Sequence, residues 1–132
     1  MIVVDANLIG YFFLSVEHAP LSIKVFENDP DWYAPFLWRS EVRNILTNYL
    51  RRKLLTLDEA QAIIAEAHNL MADREQFVSS SQVLALAAVS GCTAYDCEYV
   101  AAARELGFKL VTFDKEVVRA FPETAIFPDS FQ

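Results

Sequence analysis

With only two cysteines, three glycines and five prolines in 132 residues, this sequence excludes several classes of protein at once. Cys92 and Cys97 are too few for a disulfide framework. Their spacing, with no nearby histidine pair, also misses the usual structural zinc patterns. They read as buried thiols of a reducing compartment. So little glycine and proline argues against a loop-rich or fibrous chain. No apolar run approaches the ~18 residues of a membrane span, and Met1 to Asp5 lacks the basic start of a secretory leader. The expectation is a cytoplasmic, soluble domain with no membrane contact. Positive charge is short as well: 11 Lys and Arg face 18 Asp and Glu, a net charge of −7. That argues against indiscriminate nucleic-acid binding, which depends on positive fields. It leaves room for an enzyme that holds a cation between itself and a phosphate.

What is abundant is apolar surface. Hydrophobic residues make up 54% of the chain and charged residues 22%, a globular balance. The length fits one domain, residues 1–132, able to bury roughly two-thirds of its unfolded surface. No repeat, linker or low-complexity tract interrupts it. Residues 1–4 form a short, wholly apolar, β-branched run, as expected of a strand covered on both faces. Asp5-Ala6-Asn7 ends it, and residues 8–14 read as a helix with Asn7 at or near its N-cap. A second helix is expected over 20–27, a brief strand over 32–34, and a long helix capped by Ser40 and running to about Lys53.

Thr56 and Glu59 fit a capping box for a helix reaching about Met71. Ser80 or Ser81 opens the next, closed by Gly91, and Thr93 caps another over 94–106, stopped by Gly107. Residues 108–113 are the second convincing strand, followed by Asp114, a small helix over 116–120 and a last edge strand over 125–127. Strands alternating with helices imply a mostly parallel sheet with helices on its faces, an α/β fold.

Four carboxylates carry the chemistry. Asp5 and Asp114 each follow an apolar strand, and in a parallel sheet the carboxyl ends of strands share the edge where ligands bind. Glu41 and Asp96 sit on or beside the apolar stripes of their helices, where an uncompensated carboxylate is costly. Each has an ordinary reading: Asp starts turns, Glu41 suits the first turn of a helix dipole, and Asp96 is the third position of a cap opened by Thr93. All four together are harder to dismiss. His18 and His68 read as ordinary helix residues, and Trp32, Trp38 and the Tyr11-Phe12-Phe13 stretch as packing. Arg39 and Arg43 flank Glu41, and Arg51-Arg52-Lys53 is the one basic run. These cations suit either a solvated helix end or the border of a phosphate path.

Val3-Val4-Asp5-Ala6-Asn7-Leu8-Ile9, Trp38-Arg39-Ser40-Glu41-Val42-Arg43-Asn44, Thr93-Ala94-Tyr95-Asp96 and Leu110-Val111-Thr112-Phe113-Asp114 resemble, in order and spacing, the motifs of the PIN domain. The nearest resemblance is to the VapC-like toxins of bacterial toxin–antitoxin pairs, and it covers essentially the whole chain. It implies a three-layer sandwich and a Mg²⁺- or Mn²⁺-dependent ribonuclease. Asp5, Glu41, Asp96 and Asp114 fall on its acidic quartet of catalytic and metal-binding residues, with Asn7 and Thr112 at supporting polar positions. Glu98 is an extra acid that should point elsewhere on its helix. The resemblance also implies an RNA substrate, a homodimer, and an antitoxin whose C-terminal segment lies along a groove and occludes the acids. Helical segments near Phe12, Phe13, Val25, Leu46 and Tyr49 are candidates for such contacts.

The chemistry of hard cations is consistent with that set, because Mg²⁺ takes oxygen ligands, water and substrate phosphate. Two carboxylates ~5 Å apart repel by roughly 3 kcal/mol at an effective dielectric of about 20. Metal is therefore expected to stabilise the fold. Asp5→Asn or Asp96→Asn is expected to abolish cleavage while leaving the metal-free fold equal or more stable. Among rivals, a haloacid-dehalogenase phosphatase lacks its second acid here, since Asn7 stands where Asp is required, and a receiver domain lacks its acceptor Asp and later Lys. A PIN-fold nuclease with a housekeeping role, or a non-catalytic PIN-fold binding module, remains to be separated by assay.

Overall fold

A computed structural model describes residues 1–14 and 17–131. The wholly apolar start of the chain becomes β1 (Ile2–Val4), with all three side chains buried, so both faces of this strand are covered. Its neighbours in the sheet come from far along the chain. The five strands are β1, β2 (Trp32–Pro35), β3 (Glu75–Gln76), β4 (Leu110–Val111) and β5 (Ala125–Ile126), in the order β3-β2-β1-β4-β5. Every pairing is parallel, which requires helical crossovers and gives an α/β sandwich.

The first crossover holds α1 (Ala6–Phe13) and α2 (Ala19–Asn28); α3 (Trp38–Arg51) and α4 (Leu57–Met71) follow β2. These four pack largely on one another, and α4 also lies against β2. Gly10 permits the close approach of α1 to α3, since a Cβ there would meet Ile45 Cδ1 at 3.2 Å. Helix α6 (Ala94–Leu106) lies against β1, β2 and β4, with α5 (Ser80–Ala88) packed on it. Its stretch from Tyr99 to Ala103 is wholly buried, the small alanines letting it come close to the sheet. Helix α7 (Lys115–Ala120) joins β4 to β5, and a 3₁₀ turn, Pro128–Ser130, closes the described chain.

Several expected boundaries move for identifiable reasons. The N-cap of α1 is Asp5, not Asn7: Asp5 is extended and its side chain accepts from Leu8 N–H, leaving Asn7 as the exposed second residue of the helix. Helix α3 begins at Trp38, two residues before Ser40, with no side-chain cap. Burial of the Trp38 ring and its Nε1–H bond to Glu75 at 2.8 Å fix that start instead. Ser79, not Ser80 or Ser81, caps α5, which ends before Gly91. The capping boxes of Thr56 with Glu59 and of Thr93 with Asp96 are both formed, and Gly107 closes α6 at φ +74°. Strand β3 has no apolar signature; Glu75 is held there by Trp38 and Arg39 of α3.

Trp32 and Trp38 are fully buried, and Phe12 packs on Phe26 and Trp32. The His18 ring packs at a tilt against Tyr11 and Phe113, and His68 against Trp38. Cys92 and Cys97 are buried free thiols. Of the side chains considered for partner contacts, Val25 and Leu46 belong to the core. Phe13 and Tyr49 instead line an apolar groove of about 540 Å³ with Leu54, Leu55 and Ile63.

Candidate active site

The sheet order places a reversal at β1. From β1 the chain proceeds outward through β2 to β3 on one side, then returns to build β4 and β5 on the other. In open parallel sheets the crevice outside the carboxyl ends of the strands at such a reversal is where ligands bind. Asp5 leaves β1 there, Thr112 and Asp114 leave β4 there, and the first turns of α3 and α6 bring Glu41 and Asp96 to the same place. The result is one pocket of about 460 Å³. Asp5, Glu41, Asp96 and Asp114 line it together with Asn7 and Thr112.

Each carboxylate is held differently. Asp5 has both oxygens occupied: Oδ1 accepts from Leu8 N–H at 2.7 Å, and Oδ2 from the Thr112 hydroxyl at 2.6 Å and Phe113 N–H at 2.9 Å. Thr112, 2% exposed, also accepts from Asp114 N–H at 3.0 Å, so it ties the end of β4 to the end of β1. Asp114 caps α7 through Oδ1, which accepts from Glu116 and Val117 N–H. Asp96 caps α6 through Oδ2, which accepts from Thr93 N–H at 3.2 Å. Glu41 accepts a bond from the Tyr99 hydroxyl at 2.5 Å through Oε1. Among the described residues, Asp96 Oδ1, Asp114 Oδ2 and Glu41 Oε2 have no protein donor.

This crowding shows in the acidities. Burial pushes the Asp5 carboxyl above its ordinary range, against the pull of Thr112, Leu8 and Phe113, and the Asp114 charge adds to the rise. Glu41 is raised by burial too, with Asp5, Asp96 and Glu98 contributing while the Tyr99 bond opposes. Burial, followed by the Glu41 charge, drives the Tyr99 phenol far up, so it stays a donor at any working pH. Among the described residues, no cationic side chain lines the pocket. Such a set of hard oxygens lacking positive charge is the donor chemistry a divalent cation takes. Among the described residues, though, no three Asp, Glu, His or Cys side chains stand close enough to hold an ion jointly. The four acids converge on one pocket, but Asp5, Asp96 and Asp114 remain fastened to their own helix starts and Glu41 to Tyr99.

Other sequence candidates lie elsewhere. The Arg39 guanidinium is engaged by Glu75, Nε to Oε2 at 2.5 Å and Nη2 to Oε1 at 2.6 Å, and sits over the Phe36 ring. It does not line the pocket, and this pairing holds Glu75 below the usual carboxylate range. Arg43 is exposed on the same helix and also lies outside the pocket lining. Glu98, as its helix position implies, turns to a separate groove with Phe36, Phe77, Val83 and Leu84. Four polar residues of the pocket escaped the sequence reading as site residues: Ser40, Asn44, Tyr95 and Tyr99. Helical spacing marks two of them, since Asn44 follows Glu41 by three residues and Tyr99 follows Asp96 by three.

The PIN domain family pattern matches residues 2–123, a span that contains all four acids. Ribonuclease VapC3 of Pyrobaculum aerophilum is 32% identical over 125 residues, covering 92% of this chain and 95% of that protein. Among solved structures, PAE2754 from Pyrobaculum aerophilum superposes with a TM-score of 0.69 at 24% identity, over 97% of this chain and 90% of its own. FitAcB from Neisseria gonorrhoeae does so with 0.76 at 15% identity, over 98% and 99%. FitAB bound to the IR36 DNA fragment gives 0.73 at 16% identity, over 100% and 98%. These likenesses establish the fold, and with the family match over nearly the whole chain they make it a VapC-like member of the PIN-domain family.

Proposed function

We propose that the chain is a divalent-metal-dependent endoribonuclease, one domain over residues 1–132, acting as the toxin of a toxin–antitoxin pair in the cytoplasm. The observation that carries this reading is the gathering of Asp5, Glu41, Asp96 and Asp114, from four separate stretches of sequence, into one pocket at the strand-order reversal. The likeness to Ribonuclease VapC3 supports RNA as the substrate. Asp5 and Asp96 are the principal ligands in this reading, with Glu41 and Asp114 completing the set directly or through water. A divalent cation held by these carboxylates would offset charge on the phosphate oxygens and lower the pKa of a water so that it could lose a proton and attack phosphorus.

The remaining work falls to the chain. Thr112 and the α1 cap orient Asp5, while the α7 and α6 caps fix one oxygen each of Asp114 and Asp96 and leave the other available. Asn7 and Asn44, exposed amides on the pocket wall, suit ribose or base oxygens, and the exposed ring of Tyr95 suits a stacked base. Arg43 and the Arg51-Arg52-Lys53 run offer charge for the flanking phosphates; Arg39 is committed to Glu75. The apolar groove lined by Phe13, Tyr49 and Leu55 suits an antitoxin segment, and likeness to the FitAB assembly supports a protein partner. A homodimer remains part of the proposal.

The acids' own cap bonds would serve equally in a non-catalytic PIN-fold module. One assay separates the two: structured RNA with Mn²⁺ or Mg²⁺, against chelator and against Glu41→Gln. Metal-dependent cleavage lost in the variant is expected; intact RNA with both metals would end the nuclease reading. Growth arrest on expression, relieved by Asp5→Asn and by a small protein encoded next to this one, would assign the toxin role over a housekeeping one.

A further inference from the structure

We infer that Tyr99 is a positioning residue, whose hydroxyl aims Glu41 into the acidic pocket. The inference rests on the nuclease reading of that pocket and names a group outside the acidic quartet. Tyr99 is 5% exposed, on the same face of α6 as Asp96 one turn earlier, and its hydroxyl donates to Glu41 Oε1 at 2.5 Å. Glu41 comes from α3, on the opposite wall. Among the described residues this is the only side-chain hydrogen bond that joins α3 to α6.

Among the described residues, the Tyr99 hydroxyl is the one hydrogen-bond donor to the Glu41 side chain. Asp96 and Asp114 each have one oxygen held by backbone N–H, and Asp5 has both. Glu41 is a longer side chain, half-buried and without a backbone donor among the described residues, so the Tyr99 bond is what fixes its direction. With Oε1 taken by the phenol, Oε2 is left for a ligand. A flexible carboxylate fixed by one buried donor loses less rotamer freedom when it binds. Groups that orient a ligating side chain typically alter metal affinity 10- to 100-fold when removed. Glu98 cannot substitute, since it lines the neighbouring groove.

The test is Tyr99→Phe, which keeps the ring and deletes the hydroxyl, with Mn²⁺ affinity read by calorimetric titration of the metal-free protein. Affinity is expected to fall about 10-fold or more, with a cooperative melt retained. Cleavage should fall at low Mn²⁺ and recover at saturating Mn²⁺, with KM for RNA unchanged. In a Glu41→Gln background, Tyr99→Phe should have no further effect on affinity. Unchanged Mn²⁺ affinity in Tyr99→Phe, or an equal loss with and without the Glu41 carboxylate, would overturn the inference and leave the nuclease reading intact. Wild-type protein that neither binds Mn²⁺ nor cleaves RNA would overturn the nuclease reading itself, and this inference with it.

Discussion

Replacing Asp5 by asparagine tests whether burial or hydrogen bonding governs the acidic pocket. The carboxylate uses both oxygens: one for Leu8 N–H at 2.7 Å, the other for the Thr112 hydroxyl at 2.6 Å and Phe113 N–H at 2.9 Å. A carboxamide has one oxygen. Whichever way it turns, its NH₂ faces a backbone N–H, that of Leu8 or that of Phe113. The Thr112 hydroxyl can rotate to accept, but a backbone N–H cannot. A charge-assisted bond is therefore replaced by two donors in contact, and a part-buried donor without an acceptor costs about 1–3 kcal/mol. Loss of an N-cap alone falls in the same range. On the other side, the substitution removes a charge that burial and Asp114 disfavour. The three donors offset only part of that penalty, but the asparagine leaves two donors facing each other, and that lost bonding is expected to dominate.

The metal-free variant at pH 7 should thus lose about 1–3 kcal/mol of unfolding free energy, a fall in Tm of several degrees for a domain of this size. Glu41→Gln should behave in the opposite sense. Glu41 accepts one bond, from Tyr99, which a glutamine carbonyl also accepts, and its raised pKa means removal of its charge relieves the pocket. That variant is expected to be as stable as the parent or more so. Urea titrations in the presence of chelator measure both. An Asp5→Asn protein as stable as the parent, which the spacing of the acids alone leads one to expect, would refute the hydrogen-bond argument.

Metal should stabilise the parent protein: Mn²⁺ or Mg²⁺ at a hundred times its Kd adds about 2.7 kcal/mol, and a Tm unchanged against chelator would argue against any site. In the metal-free protein Asp5 and Glu41 both have folded values above their ordinary ones, 3.8 and 4.5. The fold then binds more protons than the unfolded chain just above those values, so their contribution weakens as pH rises through that interval and levels off beyond it. The Glu75 carboxyl, lowered by Arg39, acts the other way: its contribution is present above 4.5 and lost as pH falls through the folded value. Urea midpoints in chelator between pH 4 and 8 should therefore pass through a maximum on the acid side of neutrality; a steady climb to pH 8 would contradict the assignment. Arg39→Met should lower Tm yet leave KM for RNA unchanged, whereas Arg43→Ala should raise KM and flatten its salt dependence. The reverse pattern would place Arg39 on the phosphate path.

The fold was legible where a local rule and the tertiary packing agree. The apolar, β-branched run of β1 reads as a covered strand and is one, and the Thr56 and Thr93 capping boxes start their helices where the sequence puts them. Errors arose where packing overrode the local signal. Ser40 is a good cap by type, but the buried Trp38 ring pulls the helix start two residues earlier. Strand β3 is Glu-Gln, without apolar alternation, and exists because the edge of β2 pairs with it while Trp38 and Arg39 clasp Glu75. Residues 108–113 read as one long strand, but only Leu110–Val111 lie in the sheet; beyond them Thr112 and Phe113 turn aside to serve Asp5.

The site was legible in its acids and not in their mutual arrangement. Sequence reasoning set capping against ligation for Asp96, and turn formation against ligation for Asp5 and Asp114, as if one excluded the other. In a parallel sheet these roles coincide. For Asp5 and Asp114 the strand hands over to its helix at the carboxyl edge, so the residue that caps the helix also faces the crevice; Asp96, whose helix follows α5 and not a strand, reaches it from the first turn of α6. A carboxylate has two oxygens, and a cap consumes one. The caps also bring the positive ends of the α1, α6 and α7 dipoles to the pocket, which offsets part of the repulsion among the acids before any cation arrives. Glu41 lies outside that scheme: it is neither a cap nor at a strand end, and no rule of local spacing pairs it with a tyrosine 58 residues away. Its placement depends on α3 and α6 packing on either side of the strand-order reversal, which is a property of the assembled fold.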